Sequence, residues 1–201
     1  MKLNKIIILS LSLVLVTSTL IGCKKDETNM GTSLMENKGG YSNDKTKYVL
    51  NSNELGNEDK ISISIPDNMI ALEDNDENDN AYISLYNVAE NGIATKDDYV
   101  ITYKLIEDNA IETDKEDTEN LYKNIYKDLQ ISEIKEGTKN DITYKYYTIS
   151  YVGDGENLTD YVFELKVNDT TLLAKVGTVF YPLSMDFEAV LDLALSNIEK
   201  K

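Results

Sequence analysis

The chain lacks histidine, arginine and tryptophan, and Cys23 is its only cysteine. Histidine is the commonest general base in enzymes and the commonest metal ligand. Its absence excludes Ser–His, Cys–His and zinc hydrolase mechanisms. A single cysteine also leaves no intramolecular disulfide to stabilise the fold. Because only carboxylate, lysine, tyrosine or Ser–Lys chemistry remains, we expect a protein that is not an enzyme and needs no cofactor.

Residues 1–22 have the organisation of a secretory signal peptide. Lys2 and Lys5 form a basic start, and the apolar run over residues 6–16 is shorter than the roughly 20 residues needed to span a bilayer. The polar residues 17–19 then lower the hydrophobicity before a cleavage region. An uncleaved membrane anchor is the alternative interpretation.

The signal ends in Leu20-Ile21-Gly22-Cys23, which resembles the lipobox of bacterial lipoproteins. The resemblance implies that a dedicated peptidase recognises Leu20, Ile21 and Gly22 and cuts before the cysteine. The Cys23 thiol would carry a diacylglyceryl group with palmitate-type chains, and two buried chains give stable anchoring where one is marginal. We therefore expect a protein bound to membrane lipid at the extracytoplasmic face of the cell membrane. A secreted protein with a free thiol is the alternative.

Charge divides the mature chain into two parts. Residues 23–47 are polar, hold five lysines against four acidic residues, and have the composition of a flexible linker. Residues 48–201 hold 13 lysines against 32 acidic residues, a net charge of −19, and are long enough for one domain. So acidic a domain does not suit nucleic acid or close approach to anionic lipid. We expect no nucleic-acid partner and a domain held away from the membrane.

Hydrophobic periodicity predicts an α+β fold, an antiparallel β-sheet with helices packed on its faces. Ile61, Ile63 and Ile65 alternate with serines, and Pro66 ends that strand. The other elements predicted in the N-terminal half are strands over residues 48–50 and 81–88 and helices over residues 95–106 and 118–129.

The segment 95–106 has two interpretations. Thr95 and Asp98 have the spacing of a helix capping box, with apolar residues on one face after them. The β-branched residues 100–102 favour a strand instead. We predict a helix, with a strand as the alternative.

The C-terminal half predicts strands joined by short turns, and therefore antiparallel pairing. Gly153-Asp154-Gly155 and Asn168-Asp169 provide the turns. The strands are predicted over residues 131–135, 142–152, 161–167 and 171–179.

A final helix is predicted from Ser184, as its cap, to about Glu199. The sheet is the surface available to bury its apolar stripe. That stripe consists of Phe187, Val190, Leu191, Ala194, Leu195 and Ile198.

Residues 73–80 are acidic and predicted to form a solvated loop. Asp74, Asp76 and Asn78 have the 1-3-5 spacing of an EF-hand calcium loop. The pattern then departs, since Asp79 stands where the loop needs glycine and Leu85 where it needs a bidentate glutamate. We predict no metal site and keep those three residues as candidates for weak calcium binding.

Alternation places Tyr144 and Tyr146 on one face of a strand and Tyr147 and Tyr151 on the other. Core or cross-strand packing is the expected role of these rings. An aromatic platform for a sugar or a peptide is the alternative.

The order of elements resembles the PsbP-like domain of photosystem oxygen-evolving proteins and of many bacterial lipoproteins. Residues 61–66, the hairpin over 161–179 and the closing helix over 187–198 carry the resemblance, which covers residues 48–201. It implies an α/β/α sandwich that acts as a non-catalytic accessory module on larger membrane assemblies. Met69 stands in the region where such proteins often carry tryptophan.

Three functions follow from these observations. The leading hypothesis is a lipid-anchored accessory domain that binds a protein partner at the cell envelope through an exposed apolar or tyrosine-bearing patch. The second is a ligand-binding module for calcium or a cell-wall fragment. The third, a carboxylate-dependent hydrolase, needs two carboxyl groups about 5–10 Å apart in a cleft.

Overall fold

The computed structural model describes residues 40–41, 46–51, 60–75, 81–87, 95, 97–153, 155–179 and 181–199. These residues form two antiparallel sheets and two helices, an α+β fold. The helices are α1 (Ile111–Tyr122) and α2 (Phe187–Ser196). The strands, in chain order, are β1 (Gly40–Tyr41), β2 (Lys47–Asn51), β3 (Lys60–Ser64), β4 (Ile70–Asn75), β5 (Ala81–Asn87), β6 (Tyr99–Ile106), β7 (Lys127–Ile131), β8 (Lys135–Lys139), β9 (Ile142–Gly153), β10 (Glu156–Val167), β11 (Thr170–Thr178) and β12 (Ile198–Glu199).

The larger sheet is built around the long strands β9, β10 and β11. Its order is β4-β5-β6-β11-β10-β9-β7, and β8 pairs beside β7 along the same side of β9. Two-residue turns join β9 to β10 and β10 to β11. Gly155 and Asn168 lie in these turns with φ of 88° and 55°, the left-handed conformation that such turns require. The two turns predicted from sequence are confirmed.

The smaller sheet, in the order β1-β2-β3-β12, packs together with α2 on one face of the larger sheet. Both sheets and the helix contribute to one core. The predicted alternation of β3 is confirmed, because Ile61 and Ile63 are buried and Ser62 and Ser64 are half-buried. The largest fully buried side chains of this core are Tyr48, Tyr103, Phe163, Leu50, Ile63, Ile83, Leu85, Ile101 and Leu165.

Helix α1 covers the opposite face of the larger sheet, over β9 and β10. Ile111 and Tyr122, at its two ends, are buried in a second and smaller core. The sheet contributes side chains that alternate with those of the main core. These are Tyr147, Ile149, Tyr151, Leu158 and Val162.

Residues 99–106 form strand β6, so the helix predicted over residues 95–106 is wrong and the strand alternative is right. Thr95 and Asp98 make one of the two contacts of a capping box, since the Thr95 N–H donates to an Asp98 carboxylate oxygen at 2.9 Å. The Thr95 hydroxyl donates to the other carboxylate oxygen at 2.8 Å, and the Asp98 N–H donates to the Thr95 carbonyl instead of to that hydroxyl. These bonds close a turn that leads into extended backbone. The strand lies between β5 and β11, where β-branched residues pack well.

The helix predicted over residues 118–129 lies earlier in the chain, at Ile111–Tyr122. Leu121, in the last turn of α1, and Ile125, beyond its end, are 51% and 58% exposed. Asp128, with φ of 53°, has a conformation that a helix does not accept. The strand predicted over residues 131–135 is likewise replaced by β7 and β8 on either side.

Helix α2 is shorter than predicted at both ends. Asp186 rather than Ser184 is the N-cap, because its carboxylate accepts a hydrogen bond from the Ala189 N–H at 2.9 Å. The helix ends at Ser196, and Ile198 pairs with β3 as part of β12 instead of continuing the stripe. Val190, Leu191 and Ala194 are buried as predicted.

Two further boundaries differ from the sequence predictions. The strand β1 pairs with β2, and β2 begins at Lys47, so ordered pairing starts within the segment predicted as a linker, residues 23–47. The strand β4 was not predicted, and it includes Glu73 and Asp74 from the segment predicted as an acidic loop. Residues 1–39 lie outside the described part of the chain.

Candidate interaction surface and buried polar network

The predicted lipidation site is not among the residues that the structure describes. Leu20, Ile21, Gly22 and Cys23 all precede Gly40, the first described residue. Recognition by a signal peptidase and lipidation at Cys23 therefore stay predictions from the sequence.

The structure describes only one of the three calcium candidates. Asp74 lies in β4, where its backbone pairs with Tyr82, while Asp76 and Asn78 lie outside the described residues. An EF-hand loop wraps around its cation, whereas Asp74, the first residue of the candidate loop, lies in an extended strand. Within the described ranges, no group of three or more acidic side chains is placed to hold a metal ion.

Strand β4 forms one edge of the larger sheet. Its six residues pair with β5 in unbroken register, and no strand among the described residues pairs with its other side. Ile70 and Leu72, two residues apart, point to the same face and are each 55% exposed. Ala71, between them, packs against the main core from the opposite face. The edge therefore presents backbone groups that no described strand pairs with, beside two exposed apolar side chains.

The other sheet edges in the described part of the chain carry features that prevent pairing. The register of β7 shifts between Lys127 and Gln130, and Asp128 within it has a positive φ. The edge strand β8 carries charged residues, and β1 and β12 have two residues each. Natural sheets use bulges, charges and short strands to prevent edge-to-edge association. Strand β4 pairs over six residues without a register shift, and its first three residues, Ile70 to Leu72, carry no charge.

Sequence reasoning missed β4 because acidic residues follow its apolar start. Asp, Asn and Glu are depleted in strands, so residues 73–80 were assigned to a loop. The available signal was the alternation of Ile70 and Leu72 shortly after the turn at Pro66. That signal covers only three residues and does not reveal which strand lies at an edge.

The tyrosines of β9 lie on the two faces that alternation predicts. Tyr147 and Tyr151 are buried beneath α1, which confirms packing as their role. Tyr144 and Tyr146 are half-buried beside α2, where the Tyr146 ring centroid is 4.5 Å from that of Phe187. These two tyrosines and the neighbouring Tyr161 leave part of an aromatic cluster accessible to solvent.

A network of charged and phenolic groups lies between α1 and the larger sheet. The Lys175 amine is 3.9 Å from an Asp160 carboxylate oxygen, and their side chains are 16% and 3% exposed. Lys175 also donates a hydrogen bond to the Tyr122 hydroxyl on α1 at 2.8 Å. Asp160 accepts further bonds from the Thr178 N–H at 3.4 Å and the Tyr151 hydroxyl at 3.5 Å. The network thereby ties the helix to β9, β10 and β11.

Burial and neighbouring groups shift the pKa values of these side chains. It raises the pKa of the Asp160 carboxyl, against the opposing influence of Lys175. Burial lowers the pKa of the Lys175 amine, but Tyr122 and Asp160 outweigh it and raise that pKa. Burial and neighbouring carboxylates raise the pKa values of Tyr147 and Tyr151. Since a general acid or base works best with a pKa near the operating pH, the lysine and the phenols suit a structural role better than proton transfer.

A second contact holds the middle of α1. The Tyr147 hydroxyl donates to an Asp114 carboxylate oxygen at 2.6 Å and lies 3.2 Å from the Thr118 hydroxyl. The helix is attached through its apolar ends and through these polar groups, and most of its remaining surface is acidic and exposed. The buried network therefore positions α1.

Comparisons of the chain with protein-family models, with curated proteins and with solved structures found no match. Neither α1 nor α2, the helices of the described residues, is long and apolar enough to cross a membrane. We therefore infer function from the chemistry of the surface itself.

Proposed function

We propose that this chain is a lipid-anchored lipoprotein at the extracytoplasmic face of the cell membrane, where its acidic domain is a non-catalytic accessory module that binds a protein partner. The observation that carries the proposal is the outer edge of β4, which no described strand pairs with, together with its exposed side chains Ile70 and Leu72. Single exposed apolar residues are ordinary on protein surfaces. An apolar pair on a regular free edge is different, because such an edge associates with other chains unless it has a specific partner.

The anchor in this proposal is Cys23, supported by the lipobox-like residues Leu20, Ile21 and Gly22 that precede it. The net charge of −19 over residues 48–201 supports a domain that stands away from anionic lipid and meets a partner in solution. Acyl chains on the cysteine supply the membrane affinity that this acidic surface does not.

The PsbP-like resemblance belongs to the same proposal. It is supported by the placement of α1 on one face of the larger sheet and α2 on the other, and by the antiparallel hairpin of β10 and β11. An accessory role in a larger membrane assembly is what that resemblance implies.

The energetics of the β4 surface suit a reversible interaction. Burying a leucine or isoleucine side chain completely stabilises by about 1.5–3 kcal/mol, so covering the exposed halves of Ile70 and Leu72 contributes about 2 kcal/mol. Backbone hydrogen bonds to an added strand contribute further affinity.

The proposal is tested by cross-linking on intact cells that produce the full chain, followed by mass spectrometry. The test variant is Ile70→Thr with Leu72→Thr. Its matched control is Leu121→Thr with Ile125→Thr, which removes two equally exposed apolar side chains from the end of α1 and the turn after it. We expect the wild type and the control variant to capture a partner. The test variant and Cys23→Ala should not capture it. Capture that is the same in all four proteins contradicts the proposal.

A cell-wall fragment is a second candidate ligand, favoured by the half-buried rings of Tyr146 and Tyr161 around Phe187. Aromatic rings beside polar strand residues are a common surface for sugars. Soluble wall fragments should bind the wild type, and Tyr146→Ala with Tyr161→Ala should bind at least tenfold more weakly. Equal binding by both proteins, or none by either, removes this candidate.

A further inference from the structure

We infer that the partner binds by adding an extended segment to β4 as an antiparallel strand, and that this segment carries alternating apolar residues preceded by lysine or arginine at its N-terminal end. The inference rests on the proposed function and specifies the chemistry and direction of what is bound. Three features of β4 lead to it: its backbone, its side chains and its charge.

The backbone of β4 is ready to accept a strand. On alternate residues, the N–H and C=O groups point away from β5, and no described residue pairs with them. The sequence of Ile70–Asn75 contains no proline, glycine or lysine. Its six residues span about 20 Å, which is typical of a strand and long enough to hold a peptide by main-chain hydrogen bonds.

The exposed side chains specify apolar alternation in the added segment. Ile70 and Leu72 lie on one face, and the half-buried Tyr86 of β5 lies opposite Ile70 on that face. Side chains directly opposite each other on neighbouring strands are about 5 Å apart. A segment with apolar residues at every second position therefore covers this apolar group in one register.

The charge specifies a basic end. Glu73 and Asp74 follow Leu72 within the strand and give its C-terminal end two acidic residues. A bound segment that carries cations at this end gains attraction instead of repulsion.

The direction follows from the sheet. Every strand pair described in it is antiparallel, and antiparallel pairs are slightly more stable per residue than parallel ones. In an antiparallel addition, the N-terminal end of the new strand lies beside residues 73–75, the acidic end of β4. The cations therefore precede the apolar residues in the segment.

The test uses two capped synthetic peptides and the full-length protein extracted with mild detergent. One peptide reads Lys-Lys-Thr-Val-Thr-Val-Thr, and the other has the same residues in reverse order. We expect the first to bind at least tenfold more tightly, with an affinity that falls as salt is raised. Hydrogen exchange should show new protection of amides in residues 70–75 when the first peptide is bound.

The variants separate the contributions. Ile70→Thr with Leu72→Thr should weaken binding of the first peptide at least tenfold, and Leu121→Thr with Ile125→Thr should leave it unchanged. Glu73→Gln with Asp74→Asn should reduce both the affinity and its salt dependence. Circular dichroism that matches the wild type shows that each variant is folded.

The outcomes also separate this inference from the proposed function. If cells show a partner that depends on Ile70 and Leu72, but neither peptide protects the β4 amides, strand addition is wrong and the accessory function stands. If the reversed peptide binds as tightly as the first, the inferred direction is wrong. If the Ile70→Thr, Leu72→Thr variant captures the same partner in cells as the wild type, the proposed function itself is wrong.

Discussion

At the scale of single residues, Asp160 and Lys175 show how the domain accommodates charge in its interior. The two groups lie between the sheet and α1, and each has further hydrogen-bond partners there. Removing one partner of a buried ion pair costs more than removing both, because the remaining charge has lost its compensation.

Lys175→Met tests this arrangement, because methionine keeps the apolar stem and removes the charge. We expect the free energy of unfolding to fall by about 2–4 kcal/mol, since Asp160 is left buried without its nearest cation. The double variant with Asp160→Asn should recover a large part of that loss. Urea unfolding followed by circular dichroism measures both, and equal losses in the two variants would contradict the account.

Asp160→Asn should also change the pH dependence of stability. Burial raises the pKa of the Asp160 carboxyl, so between its unfolded value, about 3.9, and its native value the folded state binds more protons than the unfolded state. Stability is therefore lost in the wild type as pH rises through that window. The asparagine variant does not have this loss. As pH rises above about 4, its free energy of unfolding should therefore increase relative to that of the wild type, and the difference should become constant above the native pKa of Asp160. A difference that does not vary between pH 3 and pH 8 contradicts it.

Gly137 on β8 is required by the ring opposite it. A Cβ atom at this position would lie 2.5 Å from the Tyr144 hydroxyl oxygen and 2.6 Å from the ring carbon that bears it. Gly137→Ala should lower the free energy of unfolding by about 1–3 kcal/mol, because the ring must shift. The same substitution in a Tyr144→Leu background should cost less, and a thermodynamic cycle measures the difference. Equal costs in the two backgrounds would show that the ring is not the obstacle.

At the scale of elements, the sequence predicts best where pattern and environment agree. The alternation of β3 and the turns that join β9, β10 and β11 predict those strands correctly, because local turn chemistry fixes the register. Thr95 and Asp98 form one of the two bonds of the predicted capping box, but the turn leads into β6, since the position between two strands decides the conformation of residues 99–106. The helix α1 has few apolar residues of its own. The helix was therefore predicted too far toward the C-terminus, where Leu121, Ile125 and Leu129 recur at every fourth position.

The attachment of α1 can be tested at Tyr147, whose hydroxyl bonds to Asp114 and Thr118. Tyr147→Phe keeps the ring in the small core and removes the donor. We expect a loss of about 1–2 kcal/mol in stability, with faster hydrogen exchange in α1 and unchanged exchange in β10 and β11. Tyr181→Phe, at an exposed tyrosine, is the control and should change neither. Uniformly faster hydrogen exchange across the sheet would mean that the hydrogen bonds of the Tyr147 hydroxyl stabilise the sheet as well as α1.

At the scale of the whole molecule, the described residues form an acidic domain with helices on both faces of the larger sheet and with β4 at an edge that no described strand covers. Composition alone predicts the acidic character and excludes histidine-dependent chemistry. The accessory-domain hypothesis predicts an apolar or tyrosine-bearing surface without its location, because the strand order that makes β4 an edge depends on pairings between distant residues. Lipidation at Cys23 is a prediction that depends on a local motif, residues 20–23, and not on the fold.

The central claim is that a protein partner covers Ile70 and Leu72 in the cell. The most direct measurement places a photo-crosslinking amino acid at position 72 of the full chain, or at position 121 as the equally exposed control, and irradiates intact cells. We predict one defined cross-linked protein from position 72 and none of that protein from position 121. The same products from both positions, or none from position 72 with the protein present at wild-type levels, would contradict the account.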